Sequence, residues 1–373
     1  MKRLPCLDGL RAVAILLVLS QHFLNSFLYR FGDSISSHEL GKSPAILGGI
    51  RFFMGNGGLG VRIFFALSGF LITYLLIKEQ RQFGYISIRS FYIRRFLRIF
   101  PALFFYLFFV IFLSLLGLIQ LNSNDWICSF GFCWNYRNAK EMADHSVFLE
   151  HFWSLSLEEQ FYFIWPILFV VLPVKQIRRI GLAWILCAPW LRLVSDYLWP
   201  EAKPFDRKMF HTGADAILVG AILALYWEST PVQKMYRFTR SAWWPALAVS
   251  WFMGLSRYLE WNEWNTTFLR FTWSLDHLSI SFLIGWLLTY PENRLARILE
   301  QPTLRHLGLI SYSLYLWQQI FSSKVNLHWS GDFPYNIVLC LLMAEFSYFL
   351  IEKPILRWRN RHIERADEKS TIL

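Results

Sequence analysis

Two ionisable side chains interrupt an otherwise apolar stretch near the start of the chain, Arg11 and His22 in LDGLRAVAILLVLSQHF, residues 7–23. A charged or titratable group at membrane depth costs roughly 2.5–3.5 kcal/mol on insertion scales, so a chain that keeps two has a use for them. Eleven positions nearly complete whole turns of an α-helix, so the pair shares one face, about 16 Å apart along the axis. A neutral imidazole in such a place can serve as a general base. A buried histidine that only hydrogen-bonds a neighbouring helix is the alternative. Further on, SFYIRRFLRIFPAL sets Arg95 and Arg98 three residues apart, on one helix side, with Arg94 beside them. Guanidinium groups stay charged and grip phosphate oxygens in pairs, which suits a phosphorylated ligand; arginines that touch anionic lipid have the same pattern. FWSLSLEEQFYFIWP then supplies Trp153, Glu158 and Glu159. The carboxylates could orient an imidazole or bind hydroxyls from the outer side, and the indole could stack on a sugar ring. Ser156 and Glu159 also match a capping box that would start a helix, and an interfacial anchor is the other reading of Trp153.

Such side chains need an apolar frame. The 373 residues are 55% hydrophobic, 18% aromatic and only 17% charged, with a mean hydropathy of +0.34, whereas soluble domains carry about 25% charged residues. Apolar runs recur at 10–29, 59–77, 99–121, 161–173, 180–198, 212–227, 242–258, 271–290, 306–323 and 334–352. Most approach the ~20 residues that span a bilayer as a helix. The short run at 161–173 reaches that length only if HFWSLSLEEQ joins it. The expectation is an all-α, polytopic membrane helix bundle of about ten transmembrane helices. It forms a single integral domain over 1–373, without an appended extracytoplasmic domain.

The net charge of +11 and pI near 9.5 do not point to nucleic acid, because the lysines and arginines gather in alternate loops, as the positive-inside rule requires. Both termini are then cytoplasmic. MKR and the run after it lack a small-residue cleavage site and read as a retained first helix. Cys128 and Cys133 share a predicted outer loop, where either a disulfide or two thiols fits. No Cys/His cluster has zinc spacing, so no metal is expected. Asp276 and His277 near the start of one helix, and Asp215 opening another, are further intramembrane polar groups; His277 reads as interfacial.

Several of these segments together, in this order, resemble the acyltransferase-3 family of bacterial membrane enzymes. LDGLRAVAILLVLSQHF is similar to its first-helix signature, an arginine and a histidine with ten residues between them. GVRIFFALSGFLITYLL, SFYIRRFLRIFPAL, FWSLSLEEQFYFIWP, LGLISYSLYLWQQIF and FSYFLIEKPILRWRNR resemble its later motifs. The resemblance implies transfer of an acyl group, usually acetyl, from cytoplasmic acyl-CoA to a hydroxyl of a polysaccharide, lipopolysaccharide or lipid-linked sugar, in the bacterial cytoplasmic (inner) membrane. Acetyl-CoA is then a donor substrate, and no permanently bound cofactor is expected. On this reading His22 is the catalytic base with Arg11, Glu158 and Glu159 in the same machinery. Arg95 and Arg98, helped by Arg94, hold the donor phosphates, and Trp153 meets the acceptor. O-acylation of a small molecule such as a macrolide, and transport of lipid-linked sugars, are the rival readings. Two positions depart from the family pattern: Gly213 stands where Thr-Arg-x-Asp has its arginine, and Gln318 where many members have histidine.

Overall fold

The computed structural model describes residues 5–31, 55–137, 147–200, 207–262, 265–323 and 329–370. No strand occurs among them. The long helices of the first half are α1 (Pro5–Phe31), α2 (Gly57–Phe83), α3 (Ile88–Leu115), α5 (Phe152–Val171) and α6 (Val174–Leu198), with the short α4 (Ser123–Phe130) in the α3–α5 connection. Then come α7 (Phe210–Gly213), α8 (Asp215–Tyr226), α9 (Thr230–Phe238), α10 (Trp243–Val249), α11 (Ser256–Trp261) and α12 (Thr266–Thr289). The chain closes with α13 (Arg294–Leu299), α14 (Pro302–Leu309), α15 (Ser311–Ser322), α16 (Tyr335–Ser347) and α17 (Lys353–Ser370). π-helical turns at Ser250–Leu255 and Tyr348–Glu352 join α10 to α11 and α16 to α17.

Each apolar run of the sequence lies mostly on helix, and among the described residues five segments are long and apolar enough to cross a bilayer: Pro5–Phe27, Gly57–Phe83, Ile88–Leu115, Thr267–Thr289 and Tyr335–His362. The protein is therefore an all-α, polytopic membrane protein. The chain ends expected in the cytoplasm, 1–4 and 371–373, lie outside the described residues.

Helix α1 is central, packing against α2, α13, α14 and α15. Leu7, Leu10, Ala14, Ile15 and Val18 supply its buried side, and Asp8 in its first turn complements the helix dipole. Helices α2 and α8 run side by side in the same direction, with Arg81 and Glu228 paired at 2.6 Å beyond their crossing. The crossing is so close that a methyl group on Gly69 or on Gly220 would lie 1.9 Å from the carbonyl oxygen of Ile217 or Ala66. Small residues let membrane helices approach in this way.

Helix α5 takes in the segment before the 161–173 run, but it begins at Phe152. Ser156 is thus four residues inside the helix and fully buried, not an N-cap. The capping-box reading of Ser156 and Glu159 fails because the apolar surface of Phe152, Leu155 and Leu157 packs in the core, and that carries the helix start upstream. In the loop before α5, Cys128 and Cys133 are both thiols. The loop is held by other means: an Asn122–Asp125 capping box, an Arg137–Asp125 ion pair, and the Trp134 indole donating to Ser129 at 2.9 Å.

Candidate active site

Ser87 starts α3 by accepting from the Ser90 N–H, and this sets the rotation of the arginines that follow. Arg94 turns to α2 and pairs with Glu79 at 2.8 Å. Arg95 and Arg98 turn the other way. Arg98 is exposed, and it lies in electrostatic range of Arg11, Arg95, Glu352 and Tyr162. Arg11 reaches this place from α1, with Asp8 at 3.1 Å as its carboxylate partner. The structure therefore brings Arg11, Arg95 and Arg98 together and leaves Arg94 out. Three guanidiniums with few carboxylates between them repel one another, and an accessible site of this kind suits an anion. Glu352, in the π turn between α16 and α17, is held by the Ser313 hydroxyl.

Arg95 lies flat over the Tyr162 ring, 3.4 Å from its centre. The Tyr162 hydroxyl donates to Glu158 at 3.2 Å, and Glu159 is in electrostatic range of both Arg95 and Glu158. From sequence the two glutamates are expected on the outer side, where one could orient His22. The structure instead faces them toward Arg95, because α5 has already advanced about 9 Å from Phe152 by Glu158. They join the arginine cluster to the interior of the bundle.

His22 lies in the C-terminal half of α1, partly buried. Glu150 and Lys208 are the charged groups in its range, and the imidazole of His151 is a third neighbour. The carboxylate beside His22 is thus Glu150. Burial, with the His22 imidazole nearby, pushes His151 down to about 3, so its ring is neutral at any physiological pH. Burial likewise lowers Lys208, while Glu150 acts in the opposite sense. Trp153 belongs to this end of the bundle. The Lys208 ammonium lies 5.3 Å over its ring, and Phe65 meets it edge-on at 6.0 Å. Glu150, His151 and Lys208 escaped the sequence reading. His151 directly precedes the FWSLSL motif, and that adjacency was the one signal available.

Asp215, Asp276 and His277 form a separate, buried ion network. Arg192 of α6 donates to Asp215 at 2.6 Å, to the Thr212 carbonyl at 2.9 Å, to the Arg270 carbonyl at 3.0 Å and to Ser274 at 2.9 Å. His277 Nδ1 lies 3.1 Å from Asp215, so this histidine is a buried network member and not an interfacial residue. Arg62 pairs with Asp276 at 2.5 Å, and Ser256 donates to the same oxygen at 2.9 Å. Gly213 has no room for a side chain, since its Cβ would lie 2.3 Å from the Arg207 carbonyl. A guanidinium nevertheless reaches the Thr212–Asp215 segment, supplied from α6 by Arg192. Gln318 is wholly buried; its amide meets Gln319 at 3.3 Å and the Ser322 hydroxyl at 3.1 Å. No group of three His, Cys, Asp or Glu suited to a metal occurs among the described residues.

A family model described as an acyltransferase domain matches residues 4–352. A protein of Staphylococcus aureus (strain MRSA252) provisionally named an O-acetyltransferase is 28% identical over 393 residues, which cover 97% of this chain and 60% of that protein. The O-acetyltransferase OatA of Staphylococcus aureus (strain NCTC 8325) is 28% identical over 381 residues, 94% of this chain and 57% of its own. The chain thus spans about 60% of the length of these relatives. No solved structure matches it.

Proposed function

From the premise that this chain belongs to the acyltransferase-3 family, we propose that it is a membrane O-acetyltransferase, moving an acetyl group from acetyl-CoA on the cytoplasmic side to a hydroxyl of a cell-surface glycan. One observation carries the reading. Helix α1 bears a guanidinium cluster at one end and an imidazole site at the other, with Arg11 and His22 about 16 Å apart along its axis. A donor with phosphates at one end and a thioester at the far end of a flexible arm suits that spacing.

Arg11, Arg95 and Arg98 bind the phosphates, since guanidiniums pair with phosphate oxygens and keep their charge. Arg94 is paired with Glu79 and plays a lesser part. Glu158, Glu159 and Tyr162 hold Arg95 in orientation. At the other end His22 takes the proton of the acceptor hydroxyl as the oxygen attacks the thioester carbon, and Glu150 stabilises the imidazolium that forms. Trp153 and Lys208 border the acceptor side of the site. The acceptor class rests on the family resemblance alone, with a polysaccharide or lipid-linked glycan ahead of a small molecule, while the names of the relatives support O-acetyl transfer.

The test is release of coenzyme A thiol by the purified protein from acetyl-CoA, with and without envelope glycan. Wild-type release should depend on the glycan, and His22→Ala should abolish it without lowering membrane abundance. Undiminished release by His22→Ala would refute His22 as the base. Binding of a lipid-linked sugar with no thioester dependence would replace the transferase reading with that of a transporter.

A further inference from the structure

His151 is 3% exposed, and both of its ring nitrogens are buried without a hydrogen-bond partner. Native proteins pair nearly all such groups, so an exception calls for a reason. Everything else about the residue is pinned. Its carbonyl accepts from the Tyr315 hydroxyl at 3.1 Å and from Ser154 at 3.1 Å. Its ring is boxed by Tyr106 at 5.4 Å, Phe152 at 4.9 Å and Tyr315 at 5.5 Å. The hydroxyls of that box are spent elsewhere: Tyr106 donates to the Phe148 carbonyl at 2.6 Å, and Tyr315 is engaged by Ser154 and by the His151 backbone. The ring is therefore rigid and uncharged, carries one unspent N–H, and neighbours His22.

Resting on the transferase reading above, we propose that His151 is the oxyanion donor of the transfer step, its ring N–H hydrogen-bonding the thioester carbonyl oxygen as that oxygen gains negative charge. Two imidazoles at one site then divide the work by surroundings. His22 has a carboxylate, Glu150, in electrostatic range to stabilise the imidazolium that forms as the proton is taken. His151 lies in an aromatic box and stays neutral, as an imidazole must to act as an electrophile and not a base. The acceptor O–H gives its proton to His22, and its oxygen forms a bond to the acyl carbon. The carbonyl π pair moves onto the oxygen, which accepts from His151. On collapse the C–S bond breaks, the coenzyme A sulfur takes the pair, and His22 returns the proton to it. Ester and free thiol result, and His151 ends unchanged. An idle donor that stabilises only the transition state accelerates chemistry without tightening ground-state binding.

The experiment compares wild type with His151→Phe, His151→Leu and His151→Gln, as full-length protein, by thiol release from acetyl-CoA with envelope glycan and by thermal unfolding. His151→Phe should fold at least as stably as wild type, because it removes an unpaired buried N–H, and should lose about 10²–10³-fold in kcat with KM for acetyl-CoA unchanged. His151→Gln keeps a neutral N–H donor and should recover about tenfold of that loss. A purely structural histidine would show the reverse, lower stability and no rescue. The proposal is overturned if kcat of a folded His151→Phe or His151→Leu stays within about threefold of wild type, or if the loss lies in KM alone. Failure of both apolar variants to fold overturns it too, since the ring would then be a packing element. No turnover by wild type would overturn the transferase reading instead, so the two failures are distinct.

Discussion

Replacing Arg192 by methionine should destabilise the protein by about 3 kcal/mol, at the lower end of what breaking a buried ion pair costs. The guanidinium is 1% exposed, and it donates to groups on three other helices, namely Thr212 on α7, Asp215 on α8, and Arg270 and Ser274 on α12. Methionine fills much of the volume but removes the donor to two carbonyls and takes the cation from the buried Asp215 carboxylate. Ser274 at 2.8 Å and His277 at 3.1 Å remain on that carboxylate, which is why the lower end applies. A second estimate agrees: four interhelical hydrogen bonds at about 0.6 kcal/mol each in a membrane protein give roughly 2.5 kcal/mol. The assay is unfolding in detergent micelles of Arg192→Met, Asp215→Asn and the double variant. Once the arginine is gone the neutral asparagine no longer leaves a charge unpaired, so the double variant should lose less than the sum by about 1–3 kcal/mol. A loss under about 1 kcal/mol for Arg192→Met, or strict additivity, would refute the network as the tie between these helices.

The arginine cluster makes a contrast that steady-state kinetics can read. Arg98→Ala should raise KM for acetyl-CoA about tenfold to a hundredfold, the worth of one charged hydrogen bond, whereas Arg94→Ala, already paired with Glu79, should change it less than about threefold. Equal effects of the two variants would refute the assignment of Arg98 to the donor phosphates. Acid should also weaken the fold through His151. Its folded value near 3 is below the ordinary histidine value of 6.5, so between those limits the unfolded chain binds the extra proton and stability falls as pH falls. From pH 6.5 to 4 the loss through this group should be about 3 kcal/mol, and His151→Phe should remove it. Parallel pH curves for the two proteins would show that the ring is not buried as described.

The membrane character, the helical class and the first-helix pair were legible in the chain alone. Hydropathy over about 20 residues and an eleven-residue spacing are properties of contiguous sequence, and a helix has one geometry wherever it sits. Arg94, Arg95 and Arg98 could be recognised as candidates for the same reason, yet their separation could not. Arg94 turns to Glu79 while Arg98 meets both Arg95 and Arg11, and this follows from how α3 is turned where it packs against α15, α17 and the π turn before α17. The partners of the glutamates in SLSLEEQFY were not legible either: local capping chemistry suggests a helix start near Ser156, whereas core packing carries it to Phe152 and Glu158 meets Tyr162 while Glu159 meets Arg95. Glu150, His151 and Lys208 gather at His22 from segments far apart in sequence, and no local pattern records that.

The guanidinium missing at Gly213 illustrates the division best. Sequence shows a glycine where an arginine is expected; only the folded chain shows the Arg207 carbonyl closing that space and Arg192 arriving from α6. Sequence by itself determined which segments are helices and which residue types are available for chemistry. Tertiary structure decided depth, rotation and partnership, because these depend on how closely helices approach, as at Gly69 and Gly220, and on which charges must find one another once water is excluded.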